Sequence, residues 1–320
     1  MKFVNDIIGP ELKIFEEKFA QSVKADTSLL NTIMNVIIKR KGKQLRPMFV
    51  FLSAKLNGDI NESTYRAAAL VELLHTATLV HDDVVDESYE RRGFFSINAL
   101  WKNKVAVLVG DYLLSRGLLL ATENNDFAHL QILSQAVQQM SEGELLQMEK
   151  SRKLNIDEAV YFEIIKNKTA SLLSSACAAG AYSSSKSMEK ADVMKKFGEL
   201  AGIAFQIKDD LFDYGTANVG KPTGNDIQEK KITLPLIYTL QHLDKSSRKE
   251  IIYILKNQNK NKEKVQQVIQ TVTRTGGIEY ASGKMMEYRQ AALDVLSAFP
   301  ITPTRGALEQ LVNYTTDRKY

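Results

Sequence analysis

One cysteine, six prolines and 17 glycines are spread over 320 residues, and each scarcity removes a class of protein. A lone Cys177 excludes an intrachain disulfide. It sits in the run Ser174-Ser175-Ala176-Cys177-Ala178-Ala179, where a packed structural thiol fits better than a nucleophile. So few prolines and glycines, most of them at segment ends, favour long helices over a turn-rich β architecture. No Pro/Gly/Ser-rich linker divides the chain, so residues 1–320 read as a single domain. No stretch approaches the ~20 apolar residues of a membrane span. The N-terminus has no secretory apolar core, and Asp6, Glu11 and Glu16 argue against a transit peptide. The expected location is therefore cytoplasmic. An excess of one charge is also missing, with 42 Lys+Arg against 38 Asp+Glu and a net charge of +4. That balance implies no nucleic-acid partner, and no zinc-finger or RNA-binding signature occurs. A pair of Glu-x-x-His motifs, the mark of a di-iron helical bundle, is absent.

Helical periodicity fills the space these absences leave. Leu12, Phe15, Phe19 and Val23 recur at spacings of three and four over 11–23, and Leu29, Leu30, Ile33, Val36 and Ile37 repeat the pattern over 28–40. Gly42 ends that segment, and Pro47 suits the first turn of the next helix. From Thr64 to about Asp86 nothing breaks a helix, and the run is apolar on most faces, which predicts a buried one. Further helices are predicted at 103–123, 127–150, 157–182, 188–213, 227–241, 246–256, 262–274, 277–297 and 304–317. Gly215, Gly220, Pro222 and Gly224 make 214–226 the most loop-like stretch, and the basic run Lys256–Lys264 reads as a solvated loop. The predicted fold class is all-α, a helical bundle.

Two acidic clusters carry the chemistry. His81-Asp82-Asp83-Val84-Val85-Asp86 closes the long buried helix, and Asp209-Asp210-Leu211-Phe212-Asp213 closes another, 127 residues later. Asp82 and Asp86, and again Asp209 and Asp213, are four apart and share a helix face. Like charges at that spacing repel, so a cation is expected between them. Carboxylate oxygens suit Mg2+, which keeps waters and bridges carboxylates to substrate phosphates. Basic residues stand near both clusters or on Gly/Pro-marked loops: Lys43 and Arg46, Arg91 and Arg92, Lys168, Lys221 and Lys231. Acids that hold a metal, and bases beside them, point to a diphosphate ligand. Arg grips phosphate as a fork and Lys as a point charge.

From roughly Gly42 to Pro235 the chain resembles the trans-type polyprenyl diphosphate synthases. The carriers are Gly42-Lys43-Gln44-Leu45-Arg46-Pro47, the segment Glu72–Asp86, Arg91-Arg92-Gly93, Gly110-Asp111-Tyr112-Leu113-Leu114, Lys168-Thr169, Phe205–Asp210, Gly220-Lys221, Asp226 and Thr233-Leu234-Pro235, in that order. The resemblance implies helices around a deep central cavity and a homodimer. It implies that Asp82 and Asp86, with Asp83 alongside, hold two Mg2+ ions on the allylic diphosphate. Asp209 would be the main ligand of a third, supported by Asp210 and Asp213. It places Arg91, Lys168, Thr169, Gln206, Lys221 and Lys231 on the allylic diphosphate, and Lys43, Arg46, His75 and Arg92 on isopentenyl diphosphate. The implied reaction ionises the allylic C–O bond. The alkene of isopentenyl diphosphate attacks the cation, and a proton is lost to give a trans product. Phe94-Phe95-Ser96 and Phe212 depart from the smaller residues many relatives carry, and the loop from Asp213 to Lys221 is shorter than in farnesyl synthases. Terpene cyclases, which usually lack this paired DDxxD set with Gly-Lys-x-x-Arg, and noncatalytic partner subunits, which would be expected to lose some of the six acids kept here, are remote alternatives.

Product length should follow from the wall beneath the metals. Ala77 and Thr78 lie four to five residues before Asp82, about 6–7.5 Å down the helix. Ala77 is small, so a tail of about six to ten isoprene units is expected to pass. The alternative is a short-chain product, geranylgeranyl or farnesyl, with Leu113, Leu114 or Met140 as the floor.

Overall fold

The computed structural model describes residues 2–40, 42–91, 94–154, 157–215 and 224–318. Among these, fifteen α-helices follow in order. The first six are α1 (Lys2–Ser22), α2 (Ser28–Lys39), α3 (Leu45–Asn57), α4 (Glu62–Val85), α5 (Ile97–Glu123) and α6 (Phe127–Lys153). Then come α7 (Glu158–Ile165), a π-helical turn (Lys166–Ala170), α8 (Ser171–Ser185) and α9 (Met188–Phe212). Last are α10 (Asn225–Gln228), α11 (Leu234–His242), α12 (Lys245–Asn257), α13 (Lys262–Arg274), α14 (Gly277–Ser297) and α15 (Pro303–Asp317). The described β-structure is one antiparallel ladder, β1 (Glu90–Arg91) on β2 (Phe94–Phe95), with Glu90 opposite Phe95. The fold is all-α, as the periodicity requires.

Local chemistry sets the helix starts. Asn61 caps α4 in a reciprocal box with Thr64, and Asp157, Asp244 and Asn261 accept backbone N–H groups at the starts of α7, α12 and α13. Each cap satisfies donors that a helix N-terminus otherwise leaves unpaired. Three boundaries differ from expectation. α1 begins at Lys2 and runs through Pro10, with non-helical angles at Ile8 absorbing the lost hydrogen bond. The helix expected over 157–182 is interrupted by the π-helical turn. The one expected over 227–241 is split into α10 and α11, with Lys230 at φ +60° between them.

Contacts gather the chain into two compact units. The first comprises residues 1–137, 175–195 and 300–308, and in it α4 packs on α5, α3 and α1. Its core holds Val23, Ile33, Met34, Leu73, Ala77, Val80, Ile97, Val109 and Leu113. Cys177 is fully buried here and its thiol is pushed up to about 12 by burial, so it is structural. The second unit comprises residues 138–174, 196–299 and 309–320. Its core joins Tyr161 and Ile165 to Ile203, Ile207, Tyr214, Leu234, Leu255 and Val268.

α5 corrects one expectation. By length and composition alone it could cross a membrane, with a mean hydropathy of 1.5 over 18 residues, one third of them buried. Asp111 and Arg116 interrupt its sequence, and Arg116 Nε donates to Ser22 O at 2.9 Å. The same composition serves a helix that packs along α4.

Candidate active site

In the first unit α4 delivers one acidic cluster at its C-terminal end. Asp86 caps the helix and its N–H reaches Asp82 O at 2.8 Å. The two side chains lie one turn apart, Asp82 half-buried and Asp86 exposed. Asp83 separates from them: at 4% exposure it turns inward, and its carbonyl takes the amide of Asn98 at 3.0 Å. The 3.6-residue turn explains this, since 82 and 86 share a face and 83 does not.

His81 is fixed by α5. Its Nε2 lies 3.2 Å from Val107 O and 3.5 Å from Asp111 Oδ1. The ring occupies the space that a Cβ at Gly110 would need, 2.1 Å from Nε2. Gly110 therefore lets α5 seat the histidine beside Asp82. His75 is buried two turns below Asp82, and Thr78 Oγ1 donates to its carbonyl at 2.9 Å. Ala77 is fully buried in the core with Leu73, Val80, Val109 and Leu113. Lys43 is exposed and Arg46 half-buried around the start of α3. Gln44 between them has φ +50°, a left-handed conformation that non-glycine residues seldom take and that concentrates at functional sites. The backbone of Arg91 lies in β1, whereas its side chain, Arg92 and Lys221 lie outside the described residues.

The second unit builds more of its site from the protein's own hydrogen bonds. The π-helical turn contains Lys168 and Thr169. Such turns widen the backbone, and they are frequent at functional sites. Here two glycines make room for it. A Cβ on Gly143 of α6 would lie 2.8 Å from Lys168 N, and one on Gly202 of α9 would lie 2.7 Å from Ala170 Cα. Thr169 Oγ1 donates to Gln206 Oε1 at 2.8 Å, and Gln206 Nε2 donates to Asp210 Oδ1 at 2.7 Å. Tyr161 donates to Asp210 Oδ2 at 2.7 Å. Lys168 Nζ pairs with Glu144 Oε2 at 2.5 Å.

These bonds divide the second acidic cluster by task. Asp210 is buried with both oxygens engaged, and burial pushes it up to about 7. Asp213 accepts the N–H groups of Asn225 and Asp226 at 2.8 and 3.1 Å, which holds the short α10 in place. Burial also raises its pKa. Asp209 keeps 39% of its side chain exposed and pairs with Arg318. A cavity of about 140 Å³ brings together Lys168, Thr169, Gln206, Asp210, Asp226 and Lys231. Burial, and then Asp210 and Asp213, push Asp226 up to about 8.

Tyr161 had no expected role, nor did Gly143 and Gly202, and Asp226 entered only as a carrier of the resemblance. Tyr161 stands seven residues before Lys168, and Asp226 closes the glycine-rich stretch after Asp213. Neither spacing is distinctive without the fold. Among the described residues no three carboxylate, imidazole or thiolate groups form a metal cage by themselves. The donors still fit magnesium: hard carboxylate oxygens, at least two outward-facing on one turn, whose remaining coordination sites would fall to water and phosphate.

The family model for polyprenyl synthetase matches residues 27–272. The chain is 31% identical over 317 residues to octaprenyl diphosphate synthase of Escherichia coli (strain K12), covering 98% of each. It superposes at a TM-score of 0.93 on a decaprenyl diphosphate synthase from Rhodobacter capsulatus, at 32% identity and 98% coverage of both chains. For a geranylgeranyl pyrophosphate synthase from Bacteroides thetaiotaomicron the TM-score is 0.84 and the identity 36%, covering 99% of this chain and 100% of that one. A fold of this kind, carrying both acidic motifs, defines an isoprenoid synthase, and the chain belongs to the polyprenyl synthetase family. It is a prenyltransferase.

Proposed function

We propose that the protein joins isopentenyl diphosphate to an allylic diphosphate with Mg2+, about three ions when loaded, and releases a long all-trans polyprenyl diphosphate. One observation carries this reading most: a single cavity in which Lys168, Lys231 and Thr169 face Asp210 and Asp226. Lys168 pairs with Glu144 and Lys231 with Glu229, each at 2.5 Å, so the cavity wall sets cations and acids side by side, a lining suited to a metal and a diphosphate. Asp82, Asp86 and Asp209 hold the metal, and Asp83, Asp210 and Asp213 support them from within. Bound magnesium supplies the charge that lets the allylic diphosphate depart. Lys168, Lys231, Arg91, Lys221, Thr169 and Gln206 hold that diphosphate; Lys43, Arg46, His75 and Arg92 hold isopentenyl diphosphate. The chain Thr169–Gln206–Asp210–Tyr161 fixes the second cluster before substrate arrives, which is where preorganised electrostatics gain their effect. The departing diphosphate takes the proton.

Ala77 and Thr78 bound the path of the tail, and the whole chain acts as one cytoplasmic synthase domain. The family match spans both compact units, which supports the single domain. A homodimer is part of the proposal. Val107, Leu108, Leu118 and Leu119 are exposed on α5, and a second copy would cover that apolar face. Long-chain relatives support the product length. The identity to the geranylgeranyl synthase favours a second reading, a product of four isoprene units.

Incubation with radiolabelled isopentenyl diphosphate, an allylic primer and Mg2+, followed by chromatography of the dephosphorylated products, decides between them. Products of about six to ten units are expected from the small side chain at Ala77 and from the long-chain relatives. Accumulation at four units favours the second reading, and no elongation at all overturns both.

A further inference from the structure

Asp209, the acid of the second cluster that faces outward, is paired with a cation from the chain itself. Arg318, just past the end of α15, pairs with Asp209 Oδ1. Its guanidinium carbon lies 4.3 Å from the centre of the Phe205 ring and 5.3 Å from that of Phe212. Its Nε donates to Thr315 O at 3.0 Å. The preceding residue is fastened as well, with Arg289 Nη1 on Asp317 Oδ1 at 2.6 Å. Only 15% of the Arg318 side chain is exposed. This is a seated side chain, held by two rings, a carbonyl and a carboxylate.

The seat has a chemical meaning. Guanidinium and Mg2+ both seek the same carboxylate oxygen, and neither tolerates the other at contact distance. Asp209 also has Asp210 beside it, so a cation there relieves repulsion whichever cation it is. An arginine stacked on aromatic rings can leave the carboxylate and keep its shelf, because the rings hold the planar group independently of the ion pair.

We propose that Arg318 is a built-in placeholder for the metal: it neutralises Asp209 in the empty enzyme, and Mg2+ must displace it to bind. This rests on the reading of Asp209 as a metal ligand. The contact therefore sets a threshold for metal entry, and the carboxylate is not left bare between turnovers. Phe212 supplies the second ring of the shelf.

The test is the melting temperature of the full chain against Mg2+ concentration, without substrates. Arg318→Gln should melt lower than wild type without metal. Its half-saturating Mg2+ should fall about three- to tenfold, the scale of losing one competing ion pair of partial exposure. Phe212→Leu removes one ring of the shelf and should shift the half-saturation the same way by about twofold, a change that does not depend on Arg318→Gln folding. Asp209→Asn separates the two readings. If it keeps the wild-type response to Mg2+, Asp209 is no metal ligand. If it loses the response while Arg318→Gln and Phe212→Leu both keep the wild-type half-saturation, the placeholder alone is overturned.

Discussion

His129, on α6 beside Ser63 at the start of α4, shows how single residues here are held for structure. It is 1% exposed, its Nε2 lies 2.8 Å from Ser63 Oγ, and Ser63 Oγ also reaches Asp126 Oδ1 at 3.0 Å. The arrangement has the residue types of a hydrolytic triad but the wrong connectivity, because the carboxylate bonds the serine and not the imidazole. Burial pushes His129 down to about 4; Asp126 opposes this, and Lys186 and Arg66 reinforce it. The sign follows. Below its ordinary value of 6.5 the unfolded chain takes a proton that the folded chain refuses, so stability falls as pH drops from there toward 4. By pH 5 the loss from this residue is about 2 kcal/mol. Urea unfolding at pH 8 and pH 5 checks it. Wild type should lose more stability across that interval than His129→Gln, and equal losses would contradict the assignment. None of this was legible in the sequence, since Ser63, Asp126 and His129 come together only when α4 meets α6.

At the scale of elements, the π-helical turn at Lys166–Ala170 is the feature that most shapes the site. It is paid for by Gly143 and Gly202, which let α6 and α9 approach its widened backbone. Gly202→Ala puts a methyl 2.7 Å from Ala170 Cα, a collision with backbone that cannot rotate away. Overpacking of this kind costs about 1–3 kcal/mol. It should also raise the KM for the allylic substrate several-fold, because Lys168 and Thr169 ride on the same turn. Gly306→Ala is the control, as nothing lies within 4 Å of its added Cβ. Thermal melting and steady-state kinetics on both variants test the pair of expectations; a Gly202→Ala enzyme with wild-type stability and KM would contradict them. Most helices were legible because apolar residues at spacings of three and four survive into burial, and α4, α9, α13 and α14 begin and end within about two residues of expectation. The π-helical turn was not, because a choice between i→i+4 and i→i+5 bonding is imposed by neighbours. The break before α11 was hidden for a similar reason: Asp213, twelve residues back, holds the start of α10. The motifs were legible as sets of residues, and the resemblance already set Asp209 apart from Asp210 and Asp213; the hydrogen bonds that hold those two were not legible. Nothing local distinguishes Asp209, turned outward, from Asp210, bonded on both oxygens.

For the whole molecule, the proposal is that both acidic clusters hold metal for the reaction, and that the helix carrying the first also limits the product. Ala77 is fully buried against α5, so Ala77→Phe inserts a ring into packed core and should cost about 1–3 kcal/mol. If the tail passes this position, the dominant product should shorten to about three or four isoprene units while the first condensation stays fast. Thr78→Phe, at a half-buried position, should shorten it with less loss of stability. An unchanged product profile from folded, active variants would place the tail elsewhere. The most direct measurement is turnover of purified Asp82→Asn and Asp209→Asn, each shown by circular dichroism to keep the wild-type helix content. Both should lose about two or more orders of magnitude in turnover, the scale of removing a preorganised electrostatic group at the reacting charge. Near-wild-type turnover in either folded variant would contradict the assignment of that cluster as a metal site.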